Sequence, residues 1–161
     1  MQNIELRFAD ETDAKELLEL ITELAVYENL SELVTANEQI LISALFKNKR
    51  AKSLLAEVDG RVVGYAIFFY SFSTFLGKGG IYIEDVFVKP DFRGMGIGKL
   101  FFKKIASLAI EDDCKRLEWS CLDWNKPSID FYLSLGAEQM NEWTTYRLSG
   151  DKLNDLANGC F

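Results

Sequence analysis

The 161-residue sequence contains no histidine. That excludes Ser-His-Asp and Cys-His nucleophile arrangements. It also removes most catalytic zinc sites, so no metal is expected. Any general acid or base must be Asp, Glu, Tyr, Lys or Cys. Cysteine is sparse: Cys114, Cys121 and Cys160 are odd in number and lack CxxC spacing, which argues against a disulfide framework or a structural zinc. Two prolines do not make a Pro-rich linker. Long apolar runs are missing as well. The longest, residues 62–70, is nine residues and includes Gly64, whereas a membrane-spanning helix needs about twenty. The first residues, Met-Gln-Asn-Ile-Glu-Leu-Arg, show no cationic-then-apolar leader. The expectation is one domain, residues 1–161, cytoplasmic and without a membrane partner.

What is present suffices for a core. Hydrophobic residues make up 48% and charged residues 27% of the chain, which sets it apart from disordered sequences. The net charge of −7 makes nucleic acid a poor partner, and none is expected. The charge is uneven. Residues 89–104 carry Lys89, Arg93, Lys99, Lys103 and Lys104 against Asp91 alone, while residues 1–38 hold ten acids and two bases. A basic pocket for an anionic ligand and an acidic lobe for a cationic one fit this split. For the acidic lobe, solvated helix faces are the plainer account.

Residues 4–8 alternate as a half-buried strand does. Asp10 or Thr12 can cap a following helix, where Leu17, Leu20, Ile21 and Leu24 recur at helical spacing. A second helical stretch covers about 36–46. Residues 53–58 and 61–72 read as strands joined by Asp59-Gly60, a hairpin signal. Residues 77–80 read as a loop, and 81–88 as a β-rich run that Pro90 ends. The period then changes: Ile97, Leu100, Phe101, Ile105 and Leu108 line one face of a helix reaching about Asp112. Residues 116–122 read as a strand. Pro127 suits the first turn of another helix, capped by Asn125 and closed by Gly136. A last strand is expected at 143–148. The order β-α-α-β-β-β-α-β-α-β predicts an α/β (α+β) fold with a mixed sheet.

Between strand and helix lies Arg93-Gly94-Met95-Gly96-Ile97-Gly98-Lys99. Glycines let a ligand approach the backbone, and the N–H groups at a helix start favour phosphate. A mononucleotide P-loop requires GxxxxGK followed by Ser or Thr. Here Gly94 and Gly98 have three residues between them and Leu100 follows Lys99, so that motif fails twice. In the dinucleotide fingerprint GxGxxG, Lys99 stands where the third glycine belongs. What fits is RxxGxG at Arg93, Gly96 and Gly98.

RxxGxG after a strand ending Val86-Phe87-Val88 resembles the acyl-CoA loop of the GNAT N-acetyltransferase superfamily. Tyr82-Ile83-Glu84-Asp85-Val86-Phe87-Val88, Asp123-Trp124-Asn125-Lys126-Pro127-Ser128-Ile129-Asp130-Phe131-Tyr132 and Glu23-Leu24-Ala25-Val26-Tyr27-Glu28 look like spermidine/spermine (diamine) N-acetyltransferases. The resemblance implies a GNAT-like fold, a mostly antiparallel mixed sheet with helices on both faces, and a homodimer. It implies acetyl-CoA as co-substrate. The N–H groups of Arg93, Gly94, Met95, Gly96, Ile97, Gly98 and Lys99 would cradle the pyrophosphate. The backbone of Val86, Phe87 and Val88 would pair with the pantetheine arm, Asn125 and Ser128 would contact the cofactor, and Tyr132 would sit beside the sulfur. Tyr27, Glu28, Glu84 and Asp85 would face a small cationic amine. The chain departs from the polyamine enzymes at Leu133-Ser134-Leu135, where basic residues are common, and at Phe75, where tryptophan is common.

An alkylamine is mostly protonated at neutral pH and must lose a proton before attacking a thioester. Glu84 is the candidate base and Tyr132 the candidate acid for the departing thiolate. Asp85 is the alternative base, but strand alternation sends it to the face opposite Glu84 unless a bulge intervenes. Cys121, in an apolar strand, reads as core rather than nucleophile. The main functional expectation is acetylation of a polyamine or diamine. The alternatives are a thialysine-like amino acid, with Lys78 as the cation for its carboxylate, and a silent acyl-CoA-binding module.

Overall fold

The computed structural model describes residues 3–160. It contains two compact units, residues 1–120 and 121–161. The first unit is built on strands β1 (Ile4–Phe8), β2 (Lys52–Val58), β3 (Arg61–Ser73), β4 (Lys78–Val88) and β5 (Leu117–Trp119), with helices α1 (Ala14–Tyr27), α2 (Glu38–Leu41) and α3 (Ile97–Glu111). The strands lie in sequence order. Neighbours are antiparallel except β5, which runs parallel to β4.

Local chemistry explains the turns. Asp59 and Gly60 both have positive φ, +50° and +77°, the backbone of a hairpin turn whose twist matches that of the strands. Gly64 is required by crowding instead: a Cβ there would lie 2.6 Å from the Phe87 carbonyl oxygen. The expected loop at 77–80 is corrected. β4 already begins at Lys78, and Gly79 and Gly80 pair with Phe72 and Ser71. A Cβ on Gly80 would stand 2.8 Å from Ser71 Oγ and 3.0 Å from Arg116 Cγ. These glycines serve close approach within the sheet rather than a turn. The helical stretch at 36–46 is capped by Asn37, which accepts from the Ile40 N–H at 2.9 Å, and it widens into a π-helical segment over Ile42–Lys47.

Both faces of the sheet are covered. Leu17 and Leu20 of α1 pack with Leu55, Tyr65, Ile67 and Phe87. The next residue of β3, Phe68, points the other way by alternation. On that face Ile81 and Ile83 are buried, as are Ile97, Phe101 and Ile105 of α3, and Phe102 meets Trp119 edge-on at 4.8 Å. Burial of each large side chain here contributes about 1.5–3 kcal/mol.

The second unit carries α4 (Lys126–Ser134) and α5 (Asp151–Ala157). Gly136, with φ +86°, closes α4 as expected. The strand expected at 116–122 shortens to Leu117–Trp119. The one expected at 143–148 is absent: Trp143, Tyr146 and Leu148 are exposed and form no ladder. β-propensity alone does not make a strand without a paired neighbour. α5 is an element that the sequence pattern does not announce.

An ion pair ties β1 to the entry of α1. Arg7 donates to both Asp13 carboxylate oxygens, at 2.7 and 2.8 Å, and its Nε donates to Glu57 on β2 at 2.7 Å. Asp13 also accepts from the Asp10 N–H, and Asp10 accepts from the Thr12 N–H, so the turn before α1 is capped in both directions. The Arg7 bond, outweighing burial, holds the Asp13 carboxyl below its ordinary value of 3.8. A depressed carboxyl stabilises the fold above that value and ceases to do so as pH falls through the folded-state value. Asp13→Asn should therefore cost about 1–3 kcal/mol near neutrality, and the deficit should shrink in acid. Urea unfolding of both proteins at pH 7 and below the carboxylate range checks this. A deficit independent of pH would refute it.

Candidate active site

The β3–β4 register runs Ala66↔Val86, Ile67↔Asp85, then Phe68↔Ile83. β3 is continuous there, so Glu84 is one extra residue on β4, a β-bulge. Downstream of it, Asp85 and Phe87 share the face of Ile67 and Tyr65, which is the face covered by α1. Glu84 is exposed. The Tyr65 hydroxyl donates to Asp85 Oδ2 at 3.1 Å, and Tyr65 itself has no exposed surface. Burial lifts the Asp85 carboxyl from 3.8 to about 6. The bond from Tyr65 opposes the rise, and the charges of Glu84 and Glu28 add to it. Burial also raises Glu28, which ends α1. Burial, then the charge of Asp85, raises the Tyr65 hydroxyl as well. Three carboxylates thus meet at the end of α1 and the bulge, an arrangement that favours a cation. Sequence reading missed Tyr65, because its link to Asp85 depends on a cross-strand register that no local pattern specifies.

Arg93 completes this corner. Its guanidinium lies 4.8 Å from the Tyr27 ring centroid and 5.7 Å from that of Phe87, and its Nε donates to the Val88 carbonyl at 2.9 Å. Tyr65 and Phe87 rings are 6.4 Å apart. Tyr27, Glu28, Glu84 and Asp85, all read from sequence as amine-facing, are therefore grouped in the first unit. Lys78 is not with them. It sits at the start of β4, paired with Asp113, seven residues from Asp85 and so about 23 Å away along the strand. Of the basic groups near this end of α1, Arg93 lies over the Tyr27 ring and Lys89 pairs with Glu23 at 3.0 Å.

The glycine turn leads into α3. Gly94 and Gly96 have φ of +79° and +84°, and a Cβ on either would meet nothing within 4 Å. Glycine is needed there for backbone conformation, beside open space. The first bond of the helix runs from the Leu100 N–H to the Gly96 carbonyl at 3.0 Å. The N–H groups of Ile97, Gly98 and Lys99 therefore precede the intrahelical ladder, at the positive end of a 15-residue helix. This geometry fits a pyrophosphate. Of the amides expected to meet the pyrophosphate, that of Arg93 donates to the Pro90 carbonyl at 3.1 Å. Val86, Phe87 and Val88 pair with β3 on one side. β5 ends opposite Ile83, so among the described residues of the first unit no strand flanks them on the other side. That edge suits an extended amide chain such as pantetheine.

Asn125, Ser128 and Tyr132 belong to the second unit. Asn125 is buried and caps α4, its Oδ1 accepting from the Ser128 N–H at 3.4 Å. Ser128 and Tyr132 are four residues apart on α4 and share a helix face. The Tyr132 ring lies 5.5 Å from that of Phe131.

Comparison with known proteins agrees with this geometry. The profile of the Acetyltransferase (GNAT) family matches residues 14–137. A Bos taurus thialysine N-epsilon-acetyltransferase is 38% identical over 98% of this chain and 99% of its own. A Homo sapiens spermidine/spermine N(1)-acetyltransferase-like protein is 30% identical over 98% of this chain, which corresponds to 24% of that protein. Among solved structures, an integron cassette protein from the mobile metagenome of V. cholerae superposes with a TM-score of 0.81 at 31% identity, covering 96% of this chain and 97% of that one. A helix-start anion cradle, an open strand edge and a bulged acidic corner on a five-stranded sheet are thus joined by a family match across three quarters of the sequence, and the chain belongs to the GNAT acetyltransferase family of acyltransferases.

Proposed function

We propose that the chain acetylates the side-chain amine of a thialysine-like amino acid, using acetyl-CoA, within one domain spanning residues 1–161. The observation that carries this reading is the cluster of three carboxylates, Glu28, Glu84 and Asp85, whose charges act on Asp85, with the Arg93 guanidinium over the ring of Tyr27, the neighbour of Glu28 in the sequence. An amino acid with a basic side chain presents an ammonium and a carboxylate, and such a corner offers each its opposite charge. The bovine relative, similar along its whole length, supports the same choice. The polyamine reading keeps the support of the acidic corner and the human relative, but it makes no use of Arg93.

Acetyl-CoA supplies an activated thioester carbonyl. On this reading the amides from Gly94 to Lys99 hold its pyrophosphate, the open edge of Val86–Val88 holds the pantetheine arm, and Asn125 and Ser128 steady it at α4. The amine gives its proton to a carboxylate of the bulge, Glu84 or Asp85. A group near pKa 6 suits that task near neutral pH. Tyr132 protonates the departing thiolate. No covalent enzyme intermediate is required, in keeping with a chain that has no histidine.

Acetyl-CoA should raise the melting temperature, since it binds the folded chain. Gly96→Val should reduce that rise relative to its own unliganded value, because a side chain would intrude on the cradle. No rise with the unmodified protein would refute acyl-CoA binding. Tyr132→Phe should lower kcat by roughly 10²–10⁴-fold with acetyl-CoA affinity kept, as read by steady-state kinetics and cofactor titration. Unchanged kcat would remove Tyr132 as the acid. In an amine panel followed by thiol release, kcat/KM should be higher for thialysine than for spermidine. The reverse order would favour the polyamine reading.

A further inference from the structure

Tyr65 carries a hydroxyl where packing asks only for a ring. Its ring fills the cluster with Leu17, Leu20, Leu55, Ile67 and Phe87, which phenylalanine would fill as well. A buried hydroxyl costs free energy unless it is bonded. This one is bonded to Asp85 Oδ2 at 3.1 Å. The groups that act on Asp85 are Glu28 at the end of α1, Tyr65 on β3 and Glu84 in the bulge; Arg93 lies against the rings of Tyr27 and Phe87. Two of these are acids that oppose a third negative charge. The Tyr65 bond is the nearest influence favouring it.

We propose that Tyr65 is a positioning residue for amine recognition: by holding Oδ2 it aims Oδ1 of Asp85 toward the amine site and keeps that carboxylate ionised beside Glu28 and Glu84, so that Asp85 receives the substrate ammonium. This rests on the amine-acetyltransferase reading above. The bulge makes it possible, because it puts Asp85 on the Tyr65 face while Glu84 is exposed. Burial already lifts Asp85 to about 6, and the Tyr65 bond acts against a further rise. Loss of the bond therefore raises the value again and leaves less carboxylate at neutral pH.

The test is the pH profile of kcat/KM for thialysine in the unmodified enzyme, Tyr65→Phe, Asp85→Asn and the double variant. The acidic limb should lie near 6 in the unmodified enzyme. In Tyr65→Phe it should move up by about one pH unit, the size expected for losing a hydrogen bond to a charged group. At neutral pH the amine KM should rise more than kcat falls, with the acetyl-CoA KM unchanged. In the Asp85→Asn background, Tyr65→Phe should change kcat/KM little, since the bond is already altered. An unmoved limb, or the same loss in both backgrounds, would assign Tyr65 to packing and overturn the proposal. Carbon-detected NMR titration of Asp85 in the unliganded protein gives a readout free of turnover: a value that Tyr65→Phe fails to raise also overturns it. If the unmodified enzyme acetylates no amine, the underlying reading fails and the recognition role with it. Turnover with an unmoved limb removes only the role of Tyr65.

Discussion

A single extra residue in β4 decides which side chains face α1. Without the bulge at Glu84, alternation would run unbroken along the strand. Residues 85 and 87 would then lie on the α3 face, where Ile81 and Ile83 are packed. An aspartate there would lie on the face of Ile81 and Ile83, away from the Tyr65 hydroxyl that it meets now. The inserted residue turns Asp85 to the α1 face, where Tyr65 and the end of α1 stand. β5 stops pairing at Ile83, just before the bulge, so Val86 to Val88 pair with β3 on one side and, among the described residues of the first unit, with no strand on the other. The acidic corner is thus a consequence of one register shift, and the open edge begins beside it.

That corner is held at a cost in stability. A carboxyl whose value rises from 3.8 to about 6 on folding binds more protons folded than unfolded across that interval. Stability therefore falls as pH climbs through it, the reverse of the Asp13 case. A rise of that size corresponds to about 3 kcal/mol, a large share of the margin of a typical domain. The α1 core against Tyr65 and Phe87 packs on the same face and offsets the penalty. A substrate ammonium entering between Glu28, Glu84 and Asp85 would relieve it, which couples amine binding to the stability of this face.

Much of the fold was legible because its signals are local. Asp59-Gly60 sets a turn by dihedral preference, Asp10 caps by hydrogen bonding, and Leu17, Leu20 and Leu24 mark a helix face by period. The glycine turn was legible for the same reason, since Gly94 and Gly96 are required by their own φ. What failed depends on distant partners. Gly79 and Gly80 read as a loop because the crowding that demands glycine, by Cys114 at Gly79 and by Ser71 and Arg116 at Gly80, comes from residues distant in the sequence. Residues 143–148 have the composition of a strand but no neighbour to pair with. At the site, Glu84 and Asp85 were visible as acids. Their division into exposed and buried faces, and the part of Tyr65, followed only from the β3–β4 register.

The charge pattern also bears on the choice between amines. Arg93 is fixed by three contacts, to the Val88 carbonyl and to the faces of Tyr27 and Phe87. It cannot swing away from an approaching ligand without losing all three. A polyamine that places one ammonium among Glu28, Glu84 and Asp85 gains there, but a second ammonium brought near Arg93 meets a like charge. At about 4 Å that repulsion amounts to ~1–4 kcal/mol, depending on how much water remains between them. A carboxylate in the same position is attracted by a comparable amount and can accept from the planar donor edge of the guanidinium. On the proposed reading, Arg93 would therefore meet a zwitterionic substrate and a polycationic one with opposite signs of a single interaction.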